Sequence, residues 1–463
     1  MRIATVASIA FLLLSCLQTC QAQTADDYNR TGLTNYNNAH FTEAINSFDL
    51  ALKLDGSNTT LRSNLVAACR SLAAQQAAQG ELARALTTER RAFEIDASNP
   101  VVRAELARYC NNYGAQIAKT GAVTFASALR SEAMSLAPGN RVFVTNMCAL
   151  IINESSELQK IGNDQKAGLR LSEAERMDPN SSQVQVAIGE FHYRRNDYTN
   201  SLRHFGLALG LKPNDTNIAV RLQQIRKESS IEGGFGNNDR SRFVIRYEEG
   251  VNQDLSWDIS GILDDAYREI GQKLQCWPTA PLTAIIYSAE QFRAITSATD
   301  WTIGRFDGKI RICVSDLTTE KEVLKRLIRH EYTHALVFNL YGVGIPVWIN
   351  EGLAQYAASE RSLTENEKVL LQSMVGDNLP SPWDLARSFS SSNPQEVAIA
   401  YLEARLFITY LFERYGDDVA RQFVRECSRE PSLGKVVKSL FNMTTGQIRE
   451  EWQADLKTKM MTP

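Results

Sequence analysis

The stretch RHEYTHALV, residues Arg329–Val337, sets two histidines four residues apart with a glutamate directly after the first. Around it Val323, Leu324, Leu327, Ile328, Ala335, Leu336 and Leu340 recur with helical spacing until Gly342, and Thr319 with Glu322 has capping-box spacing. One helix therefore carries His330 and His334. At 3.6 residues per turn, side chains four apart are offset by about 40° and rise by about 6 Å, so both imidazoles can reach one ion. Glu331 projects one residue round, beside that ion rather than onto it.

A zinc site of this kind takes a third protein ligand and leaves a fourth position open. Sixteen residues lie between His334 and Glu351, which sits in VWINEGLAQYA. The intervening text finishes the first helix, turns through Gly342, Gly344 and Pro346, and starts a second helix near Asn350. Glu351 can then swing back onto the first helix. The bland alternative is two histidines on an ordinary helix. In a chain with five histidines, meeting His-Glu-x-x-His by chance is roughly a one in several hundred event. The others, His40, His192 and His204, all precede this region, so a Ser-His-Asp or Cys-His site here would also need His330 or His334.

The order of FVIRYE from Phe243, LTAIIYSAEQF from Leu282, WTIGRFDGKIRI from Trp301, RHEYTHALV, IPVWINEGLAQY and AYLEARLFITYLFERYG from Ala400 resembles the peptidase MA-like domain of the gluzincin metallopeptidases, over about residues 242–457. WINEG is similar to the third-ligand motif of the M1 aminopeptidases. The resemblance implies an α+β zincin domain that holds Zn2+ on His330, His334 and Glu351. In that family chemistry Glu331 accepts the proton of the attacking water and delivers it to the leaving amine. The chain has no G-x-M-E-N stretch, with which those aminopeptidases hold a free amine, so the implied activity is endopeptidase. Asp307-Gly308 between alternating segments reads as a hairpin, whose edge strand in gluzincins binds the substrate backbone. Tyr401, opening Y-L-E-A, is similar to the tyrosine that stabilises the oxyanion in M1 enzymes; Tyr356, Tyr410 and Tyr415 are rivals for that role.

Upstream, a local ending recurs: LDGSN at Leu54, IDASNP at Ile95, LAPGN at Leu136, MDPNSS at Met177 and LKPNDT at Leu211, with offsets of 41, 41, 41 and 34 residues. Each follows a helical pattern with small residues at crossings, the signature of stacked helical hairpins over residues 26–228. The last unit resembles a tetratricopeptide repeat at Gly189, Tyr198, Leu202, Phe205, Ala208 and Pro213; the middle units are longer by about two helical turns. The resemblance implies an all-α solenoid able to hold a peptide or protein partner, or a rigid spacer. SSIEGGFGNNDR, within residues 229–241, reads as a linker by its glycine and asparagine content, leaving residues 242–460 as the peptidase domain.

Arg2, the apolar run IATVASIAFLLL and a small, polar stretch have the layout of a signal peptide cleaved after Ala22, so export to the periplasm or outside the cell is expected. Cys16 and Cys20 fit a lipidation site poorly, and no later segment approaches the roughly 20 apolar residues of a transmembrane helix. A net charge of -3 with both signs interspersed excludes an extended basic field, and with it nucleic acid as the main partner. Cys69, Cys110, Cys148, Cys276, Cys313 and Cys427 contain no C-x-x-C, so a cysteine zinc ribbon is unsupported. The sequence thus reads as an exported zinc metallopeptidase with a repeat scaffold; the alternative is a silent peptidase-like domain in a protein-binding platform.

Overall fold

The computed structural model describes residues 23–461 apart from 240–241, 249–252, 297–303, 315–319, 343, 360–363, 366, 370–382, 385–388, 390 and 392. The signal-like segment and Thr319 lie outside the described residues. The chain divides into two units, residues 1–154 with 172–179, and residues 155–171 with 180–463.

Five helical hairpins occupy the repeat region: α1 (Ala25–Asn37) with α2 (Phe41–Leu54), α3 (Thr59–Ala78) with α4 (Leu82–Ile95), α5 (Pro100–Ala118) with α6 (Val123–Leu136), α7 (Arg141–Lys160) with α8 (Asp164–Met177), and α9 (Ser182–Arg194) with α10 (Tyr198–Leu211). Helix α11 (Thr216–Glu232) follows. The recurring sequence endings are turns that each supply a polar residue to cap the next helix. The Asn58 side chain accepts from the amides of Thr60 and Leu61, and Asn99 does the same for Val101 and Val102 ahead of Pro100. Ser181 and Asp215 cap α9 and α11 likewise. All five second helices have 14 residues, so the longer period resides in the first helices, which have 20, 19 and 20 residues in the middle hairpins against 13 in the outer two. Within the first hairpin a Cβ on Gly32 would stand 2.5 Å from the Phe48 ring, and within the last a Cβ on Gly189 would stand 2.6 Å from Phe205. Only glycine lets those helices approach so closely.

The second unit continues with β1 (Phe235–Asp239), β2 (Phe243–Glu248), α12 (Gln253–Leu274), β3 (Leu282–Ser288), α13 (Ala289–Thr296), β4 (Gly304–Phe306) and β5 (Ile310–Val314). These strands form one sheet in the order β1-β2-β3-β5-β4, with β2, β3 and β5 parallel and the two edge strands antiparallel to their neighbours. Parallel pairing follows from the connections, because a helix lies between β2 and β3 and a hairpin cannot return the chain in the same direction. Helices α12 and α14 (Lys321–Tyr341) bury an apolar stripe against the sheet through Phe243, Ile245, Ile259, Ile286, Ile312, Ile328 and Tyr332. A second core, centred on Trp348, Phe407, Phe423 and Trp452, joins α15 (Val347–Ala358), α16 (Pro394–Arg429), α17 (Leu433–Phe441) and α18 (Thr445–Met461). Gly416, with φ of 81°, interrupts α16 by a conformation that side-chain-bearing residues rarely adopt.

The expected linker at 229–241 is not a linker where it is described. Helix α11 runs through Glu232, and Phe235–Asp239 pairs along β2 as an edge strand. A buried ionic network fixes this segment to the sheet. Arg311 on β5 is fully buried and reaches Glu232 Oε1 at 3.1 Å, Glu228 Oε2 at 3.0 Å and Asp307 Oδ2 at 3.0 Å. Tyr193 donates its hydroxyl to Glu228 at 2.8 Å, Tyr287 donates to Glu232 at 2.6 Å, and Arg246 on β2 reaches Glu232 at 3.1 Å. Burial alone would push the Glu228 carboxyl up, but Arg311 and Lys309 hold it below the usual carboxylate range. The last repeat hairpin and the sheet thus share one interior.

All six described cysteines are free thiols. Among the described residues no helix is long and apolar enough to cross a membrane.

Candidate metal centre

Helix α14 starts after Glu320, its N-cap residue, and carries the apolar stripe that turns His330 and His334 away from the sheet core. Helix α15 starts at Val347, after Pro346, rather than near Asn350, so Asn350 and Glu351 are its fourth and fifth residues. That start faces Glu351 back towards α14. Ligand-capable atoms of His330, His334 and Glu351 all lie within 4.8 Å of one another. The two Nε2 atoms are 3.0 Å apart, and each stands 3.5 Å from Glu351 Oε2.

These separations suit one tetrahedral ion, since donors bonded at about 2.0–2.1 Å stand about 3.3 Å apart. The chemistry of the donor set agrees. The Nδ1–H of His334 donates to Asn350 Oδ1 at 3.0 Å, which leaves its Nε2 lone pair for the cluster. Oε2 of Glu351 and Oε2 of Glu331 are buried oxygens with no hydrogen-bond partner. Burial would raise the Glu351 carboxyl, but the imidazoles of His330 and His334 outweigh it and hold the group at about 2. Burial equally disfavours a charged His334, yet the Glu351 carboxylate beside it, with Glu331 and Asn350, raises the imidazole to about 9. A metal entering this site displaces that proton.

Glu331 lies beside these three side chains, almost fully buried. Desolvation raises its carboxyl above the usual range, and the neighbouring imidazoles only partly oppose this. Strand β4 passes directly against it: a Cβ on Gly304 would stand 2.6 Å from Glu331 Oε1, and Phe306 packs edge-on to Phe338 of α14. The Asp307-Gly308 turn joins β4 to β5 as the sequence suggests, with Gly308 at φ of 101°. Tyr401 on α16 lies with its ring 6.4 Å from that of His330. Burial, then the charges of Glu351 and Glu331, push its phenol far above its ordinary value, so it stays protonated. Tyr356 instead stacks on Phe412 at 4.8 Å, and Tyr410 and Tyr415 both point to Glu451 at 3.2 and 3.3 Å. Of the four tyrosines only Tyr401 lines the cleft of about 780 Å3 above the histidines.

Residues 264–458 match the model of the peptidase MA superfamily. This segment is a peptidase MA-like domain. The match begins within α12, so β1, β2 and the repeat helices lie upstream of it. Among solved structures, a TPR repeats protein from Bacteroides fragilis aligns at 14% identity and a TM-score of 0.32, over 44% of this chain and 99% of that one. A TPR protein from Thermus thermophilus aligns at 17% identity and a TM-score of 0.21, over 44% and 99%. No curated protein matches the sequence.

Two contributions to the site go beyond the sequence reading. Asn350 orients His334; its position directly before Glu351 was the only signal, and it reads equally well as a helix start. The far wall of the cleft comes from the repeats, through Glu190, Tyr193, Arg194, Arg195 and Arg221. Nothing local in the sequence joins those residues to His330.

Proposed function

We propose that this protein is an exported, zinc-dependent peptidase that cleaves internal peptide bonds, with His330, His334 and Glu351 as metal ligands. The observation that carries the reading is the convergence of those three side chains beside the buried, unpartnered Glu331 carboxylate. The chemistry a bound zinc supplies is Lewis acidity, which polarises a carbonyl and brings the pKa of a water to about 7. Glu331 takes a proton from the attacking water at Oε2 and gives it to the nitrogen of the leaving amine. The raised affinity of its buried carboxyl for a proton suits both halves of that transfer. Tyr401, held protonated, donates its hydroxyl to the developing oxyanion. The substrate backbone pairs along the edge of β4, which Gly304 allows to lie close against Glu331. Export rests on the signal-like layout of residues 1–22.

The test is incubation of the purified protein with a diverse peptide library, with and without a chelator. Internal cleavage that disappears with chelator and returns with added zinc is expected. Zinc binding at one per chain with no cleavage of any peptide would leave a protein-binding platform in place of the peptidase.

A further inference from the structure

The cleft that holds His330, Glu331, His334, Glu351 and Tyr401 is closed on its far side by the last repeat hairpin and α11. This wall belongs to the same unit as the metal centre, and the buried Arg311–Glu228–Glu232 network fixes it to the β4–β5 hairpin that borders Glu331. Its charge is unequal. Arg195 is neutralised by Asp164 at 2.7 Å, and Arg221 is held by both oxygens of Glu190, at 2.7 and 2.9 Å, while stacking on Tyr193 at 4.1 Å. Arg194 lines the same wall, exposed, with no carboxylate partner among the described residues. On the other side of the cleft, Glu351 faces the two histidines and Glu331 is buried beside them. A peptide lying in the cleft therefore meets one guanidinium not already paired with a carboxylate, on the wall opposite the metal centre.

We propose that helices α9–α11 form a substrate subsite, and that Arg194 selects peptides with a carboxylate flanking the scissile bond. This rests on the peptidase reading of the metal centre and names the substrate class. The carboxylate is either an acidic side chain or the peptide's own C-terminus. Both present the bidentate acceptor that a guanidinium fork matches.

The experiment uses the full chain loaded with zinc, in the parent, Arg194→Glu and Glu331→Gln forms. Four versions of one cleavable peptide are compared: acidic or neutral in the flanking position, each with a free or amidated C-terminus. Cleavage is followed by kcat/KM, and binding to the Glu331→Gln protein, with and without Arg194→Glu, by fluorescence anisotropy. A carboxylate-bearing peptide should be preferred, and Arg194→Glu should lower its kcat/KM and its binding about tenfold relative to the neutral, amidated version. Loss only for the acidic side chain, or only for the free C-terminus, assigns which carboxylate is read. Cleavage that ignores charge in all four peptides overturns the subsite and leaves the peptidase intact. Charge-dependent binding with no cleavage keeps the subsite and overturns the peptidase. If none of the four peptides binds, both fall.

Discussion

Glu89 on α4 and Glu228 on α11 are both fully buried glutamates on repeat helices, yet they titrate in opposite directions. Glu89 has no hydrogen-bond partner on either oxygen, and the nearest cation, Arg70 Nε, stands 3.9 Å away; burial pushes its carboxyl up to about 7. Glu228 has Arg311 at 3.0 Å and a hydroxyl from Tyr193, and its carboxyl is pulled below the usual range. Burial favours the neutral form of an acid left alone, and cations and hydrogen-bond donors buried with it reverse that preference. Both glutamates sit on helices of the stacked array; what differs is the sheet that supplies Arg311. A repeat period therefore does not mark where a structural unit ends.

The sharpest way to break this comparison is to remove the partner. Arg311→Leu leaves Glu228 without its buried ion pair and Glu232 with one cation fewer, which should cost about 3–5 kcal/mol. All six tryptophans follow residue 250, so their fluorescence reports urea unfolding of the second unit alone. The same variant should expose Thr216–Asp239 to proteases that spare it in the parent. An unchanged midpoint and an early cut within that segment in the parent would restore the linker.

A smaller effect is expected at Glu89, and its sign is set by protonation. An acid whose folded pKa is raised binds its proton more tightly when folded, so its contribution is favourable below about pH 4.5 and is lost as pH rises through about 7. Glu89→Gln should therefore stabilise α3–α5 relative to the parent by about 1–2 kcal/mol at pH 8 and by little at pH 5. Hydrogen exchange in those helices measures this. A gain that does not change with pH would mean that Glu89 is not neutral in the folded protein at low pH.

Much of the architecture was legible because it depends on local periodicity. The asparagines at the recurring endings, Asn58 and Asn99, act within three residues, and the Asp307-Gly308 hairpin within four. The i, i+4 spacing of His330 and His334 brings them together on any helix. Glu351 needed only one helix turn-back. The segment 229–241 was misread because glycine and asparagine suit both a linker and a short edge strand, and only pairing with β2 decides between them. No local feature of the sequence marks Glu228 and Glu232 as buried. Their burial depends on Arg311, roughly eighty positions downstream, a tertiary fact with no local trace. The share of the cleft lined by Glu190, Tyr193, Arg194 and Arg221 was hidden for the same reason.

The central claim is that Glu331 moves the proton at a metal held by its neighbours, and Glu331→Gln tests it on one side chain. The substitution preserves volume and helix propensity and leaves all three ligands in place, so zinc should stay near one per chain. Turnover of a peptide cleaved by the parent should fall by at least about 100-fold. Turnover equal to the parent's, with zinc still bound, would contradict the account.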